Sequence, residues 1–241
     1  MSPPEDVEPV TDLRTVSTSI GHVLLDQTTP EGIPVNALVP GGFESHARIL
    51  HPARRIVGHD VSWQRWAEIA AASGAVLSGE VPFRRITVPP GAEVPLGPQG
   101  ARRQDDVPLD GSLPEEETRV LVELLRPLTN TPCWFLLWEG WEGLRLHPQQ
   151  VSVLWLGNSH LVFRGPLDAV LGFDWSGRWQ TPQLWFADDR AWCVGTEIDD
   201  YATHVAGPAE LVRRILRSDQ LEALPTRGDA LAVRTGEWGM A

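Results

Sequence analysis

The sequence contains no lysine, only two cysteines, one tyrosine and no long hydrophobic run. A helix that crosses a membrane needs about 20 consecutive apolar residues, so we expect none in this chain. The start, MSPPEDVEPVTD, is acidic where a secretion signal needs a basic and then an apolar stretch. Cys133 and Cys193 each lie in an apolar run, which suits small buried side chains in a reducing compartment better than a disulfide framework. We therefore expect a cytoplasmic protein with no membrane segment.

Positive charge is scarce and evenly distributed along the chain. All 20 basic residues are arginine, and 32 acidic residues bring the net charge to −12. Residues 1–110 contain 9 arginines and 14 acids, and residues 111–241 contain 11 arginines and 18 acids, so neither half is basic. The phosphates of a nucleic acid would be repelled. We expect a protein partner and no nucleic-acid partner, and the sequence does not indicate an oligomeric state.

Proline and glycine are concentrated in residues 88–112, which we interpret as an exposed loop or linker. If this stretch is a linker, the chain has two lobes, a first α/β lobe at 16–87 and a second α+β lobe at 113–225. The ends of the chain, residues 1–15 and 226–241, lack a long periodic pattern, so we expect both to be mobile.

Two segments predict helices that follow clear start signals. Ser112 and Glu115 have the spacing of a capping box, in which the serine side chain bonds the first turn of a helix. The last helix is predicted to begin at Pro208, because proline suits a first helical turn. It would turn four apolar side chains inward: Leu211, Val212, Ile215 and Leu216.

An earlier helix is predicted to begin near Ser62 and to end at Gly74, a residue type that commonly terminates helices. Its apolar spacing places Trp63 and Trp66 together on the buried face.

Between the helix predicted after Ser112 and the helix predicted from Pro208, the pattern changes to that of strands. The run CWFLLW begins at Cys133, and two pairs of apolar runs flank the turns at Gly157 and Asp188. Short turns of this kind join antiparallel neighbours. We predict an α+β fold with a mostly antiparallel sheet and with helices packed on one face.

Three segments resemble a recurrent actinobacterial family of proteins without an assigned activity: FESHARILHPA (43–53), CWFLLWEGW (133–141) and LWFADDRAWCVGTEIDDYATHVAGPAELVRRIL (184–216). The resemblance covers most of residues 40–225. The closing order of hairpin, acidic turn, short strand and helix is also similar to that of the SUKH immunity proteins. That layout implies, by analogy only, a module that binds a protein partner.

Tryptophan is dense between residues 134 and 192, where eight of the 11 in the chain occur. Those inside apolar runs are expected in the core: Trp134, Trp138, Trp155, Trp185 and Trp192. Trp141, Trp175 and Trp179 are flanked instead by glycine and polar residues, in predicted loops. Because tryptophan is favoured at recognition surfaces, these three are candidate binding residues.

Acidic residues form two candidate groups. Glu139 and Glu142 in WEGWEG could act as the paired carboxylates of a glycoside hydrolase, although in an extended chain they face opposite sides and the simpler interpretation is two solvated acids. Asp188, Asp189 and Asp199, with Glu197 and Asp200, cluster at hairpin ends and could bind a basic protein patch or a cation. Ordinary turn chemistry explains the same aspartates.

Histidines 46, 51 and 59 lie close together in sequence, but without the spacing of a metal motif. We therefore predict no metal and no cofactor. The motifs of common nucleophiles and phosphate-binding loops are also missing. The leading hypothesis is a non-enzymatic accessory or immunity-like module that binds a protein through an acidic, tryptophan-bearing surface. The alternative is a hydrolase that uses Glu139 and Glu142, or Asp188 and Asp189.

Overall fold

The structure, a computed structural model, describes residues 4, 6–21, 28–57, 60–94, 107–141, 144, 149–175 and 178–234. Its helices are α1 (Leu13–Ile20), α2 (Val35–Leu38), α3 (Trp66–Ser73), α4 (Phe83–Ile86), α5 (Glu115–Leu125) and α6 (Ala209–Leu216), with short 3-10 helices at Arg126–Leu128 and Leu167–Gly172. No helix of this described part is long and apolar enough to span a membrane.

The strands are β1 (Glu8–Pro9), β2 (Gly32–Pro34), β3 (Ser45–Leu50), β4 (Ala53–Val57), β5 (Asp60–Gln64), β6 (Cys133–Trp138), β7 (Ser152–Trp155), β8 (Asn158–Gly165), β9 (Asp174–Trp175), β10 (Arg178–Trp179), β11 (Leu184–Ala187), β12 (Cys193–Gly195), β13 (Ala202–Gly207), β14 (Ala223–Thr226) and β15 (Leu231–Arg234). Nine of them form one sheet in the order β1-β8-β6-β11-β12-β13-β3-β14, with β7 also paired to β8. Its pairings are antiparallel. The α+β prediction with a mostly antiparallel sheet is confirmed.

Side chains alternate between the two faces of this sheet, and both faces are buried. On β6, Phe135 and Leu137 contribute to the core cluster that contains α5 and α6, whereas Trp134 and Leu136 contribute to a second cluster that contains residues of α1 and α2. The helices α5 and α6 therefore share one face of the sheet, whereas α1 and α2 cover part of the other, so the helices are not confined to the single face that was predicted.

The predicted lobes share this sheet. Strand β3, from the segment 16–87, lies between β13 and β14, which come from the segment 113–225. The sheet thus gives no support for two separate lobes. The predicted exposed stretch 88–112 also ends inside the protein, because Pro108, Gly111 and Ser112 are buried.

The terminal segments expected to be mobile contain strands. In the first segment, β1 pairs with β8 and is flanked by buried Val7 and Val10. In the second, β15 pairs with β2, and Ala230 and Ala232 pack into the core. Apolar residues at these ends are few and widely spaced, so their contacts were not visible as a periodic pattern.

Two predicted helix starts were wrong. The capping box does not form, because Pro114 precedes α5 and the Ser112 hydroxyl instead bonds Thr181. The helix predicted from Ser62 begins at Trp66, and the residues before it form β5, which leaves Trp63 on the surface. The predicted end is correct, since Gly74 adopts the left-handed conformation at φ 73°.

Candidate functional site

The sequence-predicted site residues lie at two opposite ends of the sheet. Cys133 pairs with Ala187 at one end of β6, so Asp188 and Asp189 lie beyond that end. Glu139 and Trp141 follow the other end of β6. The predicted set therefore does not form one surface.

Asp188 and Asp189 have structural roles in the turn between β11 and β12. The Asp188 carboxylate accepts the indole N–H of Trp134 at 2.6 Å and a guanidinium N–H of Arg164 at 3.1 Å. These bonds, the Trp134 bond foremost, hold the pKa of Asp188 below its usual range. Asp189 accepts the backbone N–H of Ala191 within the same turn. Asp189 thus performs the turn chemistry that was the simpler interpretation, whereas Asp188 ties the turn to side chains of β6 and β8.

The WEGWEG segment is closer to the core than a recognition loop would be. Glu139 accepts the Ser159 hydroxyl at 2.5 Å. Trp138 and Trp141 are both half-buried and meet edge to face with centroids 5.2 Å apart, and Trp141 packs against the α5–α6 core. Glu142 lies outside the described residues.

The remaining candidate residues are Trp175, Trp179 and Asp199. The side chain of Trp175 lies outside the described part. Trp179 is half-buried and donates its indole N–H to the Leu113 carbonyl at 2.8 Å. Asp199 lies in the turn before β13, where burial and the neighbouring Asp110 carboxylate raise its pKa.

The structure describes two of the three clustered histidines, His46 and His51. His46 and His51 lie on or beside β3 and are buried, and burial lowers the pKa of each. His59 lies outside the described residues. Among the described residues there is no group of three or more His, Cys, Asp or Glu side chains suited to hold a metal ion.

A groove of about 460 Å³ combines acidic and aromatic residues that the sequence did not bring together. We call it the acidic groove, and its main lining residues are Trp63, Arg65, Leu109, Pro114, Glu115, Glu116, Glu117, Trp179 and Glu222. It lies between the β4–β5 hairpin and the start of α5.

The β4–β5 hairpin borders the groove through Trp63, which belongs to an exposed apolar face of the hairpin. Cross-strand pairing places Ile56 opposite Val61 and Arg54 opposite Trp63, and all four side chains share one face of the hairpin because strand neighbours alternate. Val61 is 57% exposed and Trp63 is 52% exposed. Large apolar groups together on one exposed face are characteristic of interaction sites.

The first turn of α5 supplies the acidic wall. Glu115 pairs with Arg119 at 2.5 Å on the same helix, and Glu116 is exposed. Burial, with a smaller contribution from Glu116, raises the pKa of Glu117. Helix N-termini favour carboxylates, so the three acids also stabilise α5.

Glu222 links the groove to α3. Its carboxylate accepts the backbone N–H groups of Trp66 at 2.6 Å and Ala67 at 2.7 Å, which caps that helix from a distant part of the chain. Burial raises the pKa of Glu222, and these two bonds oppose the shift. The cap fixes α3, and hence the base of the hairpin, against the C-terminal part of the sheet.

The segment 109–114, whose end residues Leu109 and Pro114 line the groove, is held by a row of buried polar side chains at the ends of the central strands. Gln183 donates to the Gly111 carbonyl at 2.9 Å, and Thr181 accepts the Leu113 N–H at 3.1 Å. His51 bonds the Leu109 carbonyl through Nδ1 at 2.6 Å. A side chain at Gly111 would clash with the backbone of Ile198, since its Cβ would lie 2.3 Å from that carbonyl oxygen.

Sequence reasoning missed Trp63 and the three glutamates as site residues. Alternation in DVSWQ could have identified a strand at Trp63, but the overlapping helical spacing was followed instead. The glutamates were interpreted only as helix-start residues, and their proximity to Trp63 depends on tertiary contacts.

Comparison with known proteins found no matching family model, no similar curated protein and no similar solved structure. The functional argument therefore depends on the geometry of the chain itself.

Proposed function

We propose that this protein is a non-enzymatic, accessory or immunity-like module whose acidic groove receives a positively charged segment of a protein partner. The observation that carries the proposal is the junction of an exposed tryptophan, Trp63, with the acidic first turn of α5. Free thiols at Cys133 and Cys193 suit a cytoplasmic setting for this role.

The chemistry of the two walls defines the partner. An arginine or lysine side chain can stack on the face of Trp63 while its charge is attracted to Glu115 and Glu116. Apolar residues next to that cation would cover Val61 and Ile56 on the hairpin. The net charge of −12 favours approach of a basic partner from a distance.

The hydrolase alternative receives less support from the described residues. Asp188 is paired with Arg164 and Trp134, and its lowered pKa makes it a poor proton donor. Glu139 is engaged by Ser159. A glycosidase needs one carboxyl group free to act as an acid, and neither residue is placed for that role.

The experiment is a selection of random displayed peptides on the wild-type protein, followed by affinity measurements for the enriched peptide. We expect enrichment of arginine or lysine beside apolar residues, with an affinity that falls as salt is raised. Trp63→Ala should weaken binding at least about 30-fold, the scale of an interface hot spot, and change the unfolding free energy by less than about 1 kcal/mol.

Matched controls separate the groove from general effects. Glu115→Gln combined with Glu116→Gln should weaken binding, whereas Glu31→Gln combined with Glu44→Gln removes the same charge elsewhere and should have little effect. Leu154→Ala is the control for loss of an exposed apolar side chain, since Leu154 is 68% exposed on β7. Peptides without basic residues, or full affinity in a folded Trp63→Ala protein, would refute the proposal.

A further inference from the structure

A small pocket lies on the face of β3 opposite the α5–α6 core. Ala47 and Ile49 face that core, so Arg48 between them faces the other side, where it lines the pocket. Arg48 and Asp200 form its charged interior, Trp66 and Phe83 its aromatic wall, and Glu80 and Arg84 contribute charges near its mouth.

One buried acceptor in this pocket has no hydrogen bond. Asp200 is only 4% exposed, and its Oδ1 accepts the Tyr201 N–H at 2.7 Å. Its Oδ2 has no hydrogen-bond partner among the described residues, and the nearest candidate, Nε2 of His204, is 3.8 Å away. That separation is too long for a hydrogen bond. A buried carboxylate oxygen without a donor is costly, so a donor from a ligand would be strongly favoured there.

Arg48 is engaged by other groups of the pocket. Its guanidinium donates to the Val81 carbonyl at 2.8 Å and lies over the Trp66 ring, 5.3 Å from the centroid. The arginine is thus held by the surrounding backbone and ring, which fixes a positive charge inside the pocket that Asp200 also lines.

The charges of the pocket define the ligand class. Two arginines and two acids line it, so their formal charges cancel. A ligand with net charge would introduce an unbalanced charge into a partly buried site, whereas a zwitterion can match both signs. An ammonium group can donate to Oδ2 of Asp200, and a carboxylate can accept hydrogen bonds from an arginine guanidinium.

We propose that this pocket binds a small zwitterion, an α-amino acid of about the size of glycine. The volume of this pocket is only about 30 Å³. One water needs roughly 10–15 Å³ on that measure, so the space suits a ligand of a few heavy atoms. This site is separate from the acidic groove, and the inference does not depend on the proposed function.

The test is isothermal titration of the whole chain with glycine, with methylammonium chloride and sodium acetate as ligands that carry one charge each. We expect saturable binding of glycine, and binding of the other two at least tenfold weaker. Asp200→Asn keeps the acceptor for the Tyr201 N–H but removes the charge, and should weaken glycine binding at least tenfold. Arg84→Gln, at the pocket mouth, should also weaken it and provides a second variant if Asp200→Asn does not fold.

Asp199→Asn is the matched control, because Asp199 is the neighbouring acid and does not line the pocket. It should bind glycine as the wild type does. The proposal is overturned if glycine gives no saturable heat, if methylammonium binds as well as glycine, or if Asp199→Asn loses as much affinity as Asp200→Asn.

Discussion

Thr203 and His204 are neighbours on β13, both are buried, and they lie on opposite faces of the sheet. The Thr203 hydroxyl bonds Nε2 of His51 at 2.9 Å and the Thr196 hydroxyl at 2.8 Å. Neither ring nitrogen of His204 has a hydrogen-bond partner among the described residues. Thr203 thus belongs to a chain of hydrogen bonds on one face, whereas His204 on the other face does not.

The hydrogen bonds around Thr203 permit only one assignment of donors and acceptors. The Leu109 carbonyl can only accept, so Nδ1 of His51 must carry the proton. In the neutral ring Nε2 then accepts from Thr203, and Thr203 in turn accepts from Thr196. A complete network of this kind stabilises a fold and offers nothing to a ligand. The incomplete set around Asp200 and His204 retains binding capacity.

The largest loss of stability is expected from a substitution of Gln183, which lies on the same face as Thr203. This side chain bonds the Trp138 N–H at 2.7 Å, the Gly111 carbonyl at 2.9 Å and the Thr181 carbonyl at 3.2 Å. Gln183→Ala should reduce the unfolding free energy by about 4 kcal/mol, since each abandoned buried group costs about 1–3 kcal/mol. Urea denaturation measures the loss.

Gln220→Ala is the control for this prediction, because Gln220 is exposed. It should change the unfolding free energy by less than about 0.5 kcal/mol. If Gln183→Ala costs less than about 1 kcal/mol, the polar row does not hold the segment 109–114 as described.

A second effect should appear at His51 as a dependence on pH. Burial lowers the pKa of His51 from 6.5 to about 4 in the folded chain. Below pH 6.5 the unfolded chain therefore binds a proton that the folded chain does not, so the contribution of His51 to stability is lost as the pH falls towards 4. The difference in unfolding free energy between wild type and His51→Gln should shrink by up to about 3 kcal/mol over this range.

The prediction is stated as a difference between wild type and His51→Gln because other titrating groups change the unfolding free energy in the opposite direction as the pH falls. Burial raises the pKa of Glu197 to about 7, so its folded form gains protons first and its unfavourable charge is relieved as the pH falls. The unfolding free energies of both proteins are measured by chemical denaturation at pH 7, 5 and 4. Subtracting one from the other removes the contributions of groups that the two proteins share. An unchanged difference across that range would show that His51 is not buried as a neutral ring.

The smallest effect is predicted at Asp200, beside His204. Asp200→Asn keeps Oδ1 for the Tyr201 N–H and replaces the unpaired Oδ2 with a neutral group. Without ligand, the unfolding free energy should therefore change by less than about 1 kcal/mol in either direction. A loss as large as that of Gln183→Ala would mean that Asp200 belongs to the structural network.

Local patterns in the sequence were sufficient for elements that are determined by their own residues. The helix α6 follows Pro208 and buries Leu211, Val212 and Ile215 as predicted. The paired runs around Gly157 became β7 and β8. Ser112 shows the limit, because its capping signal was local and its actual partner, Thr181, is far away in the chain.

The candidate site could be predicted only in its chemical character. An acidic, tryptophan-bearing surface was expected, and the acidic groove has that composition, but of the predicted residues only Trp179 lines it. Trp141 packs on the core because Gly140 leaves room for the Trp138 ring, to which a Cβ at that glycine would come within 2.3 Å. Contacts between distant segments decided which tryptophans remained exposed, and no local spacing encodes them.

The position of β3 has a consequence for how the chain is made. This strand leaves the ribosome well before its neighbours in the sheet, β13 and β14, which follow it by about 150 residues or more. The α3 cap, Glu222, also arrives late. A nascent chain must therefore carry an apolar strand with two unpaired edges until β13 and β14 have been synthesised. We expect slow folding, governed by long-range pairing, and a need for protection from aggregation during that interval.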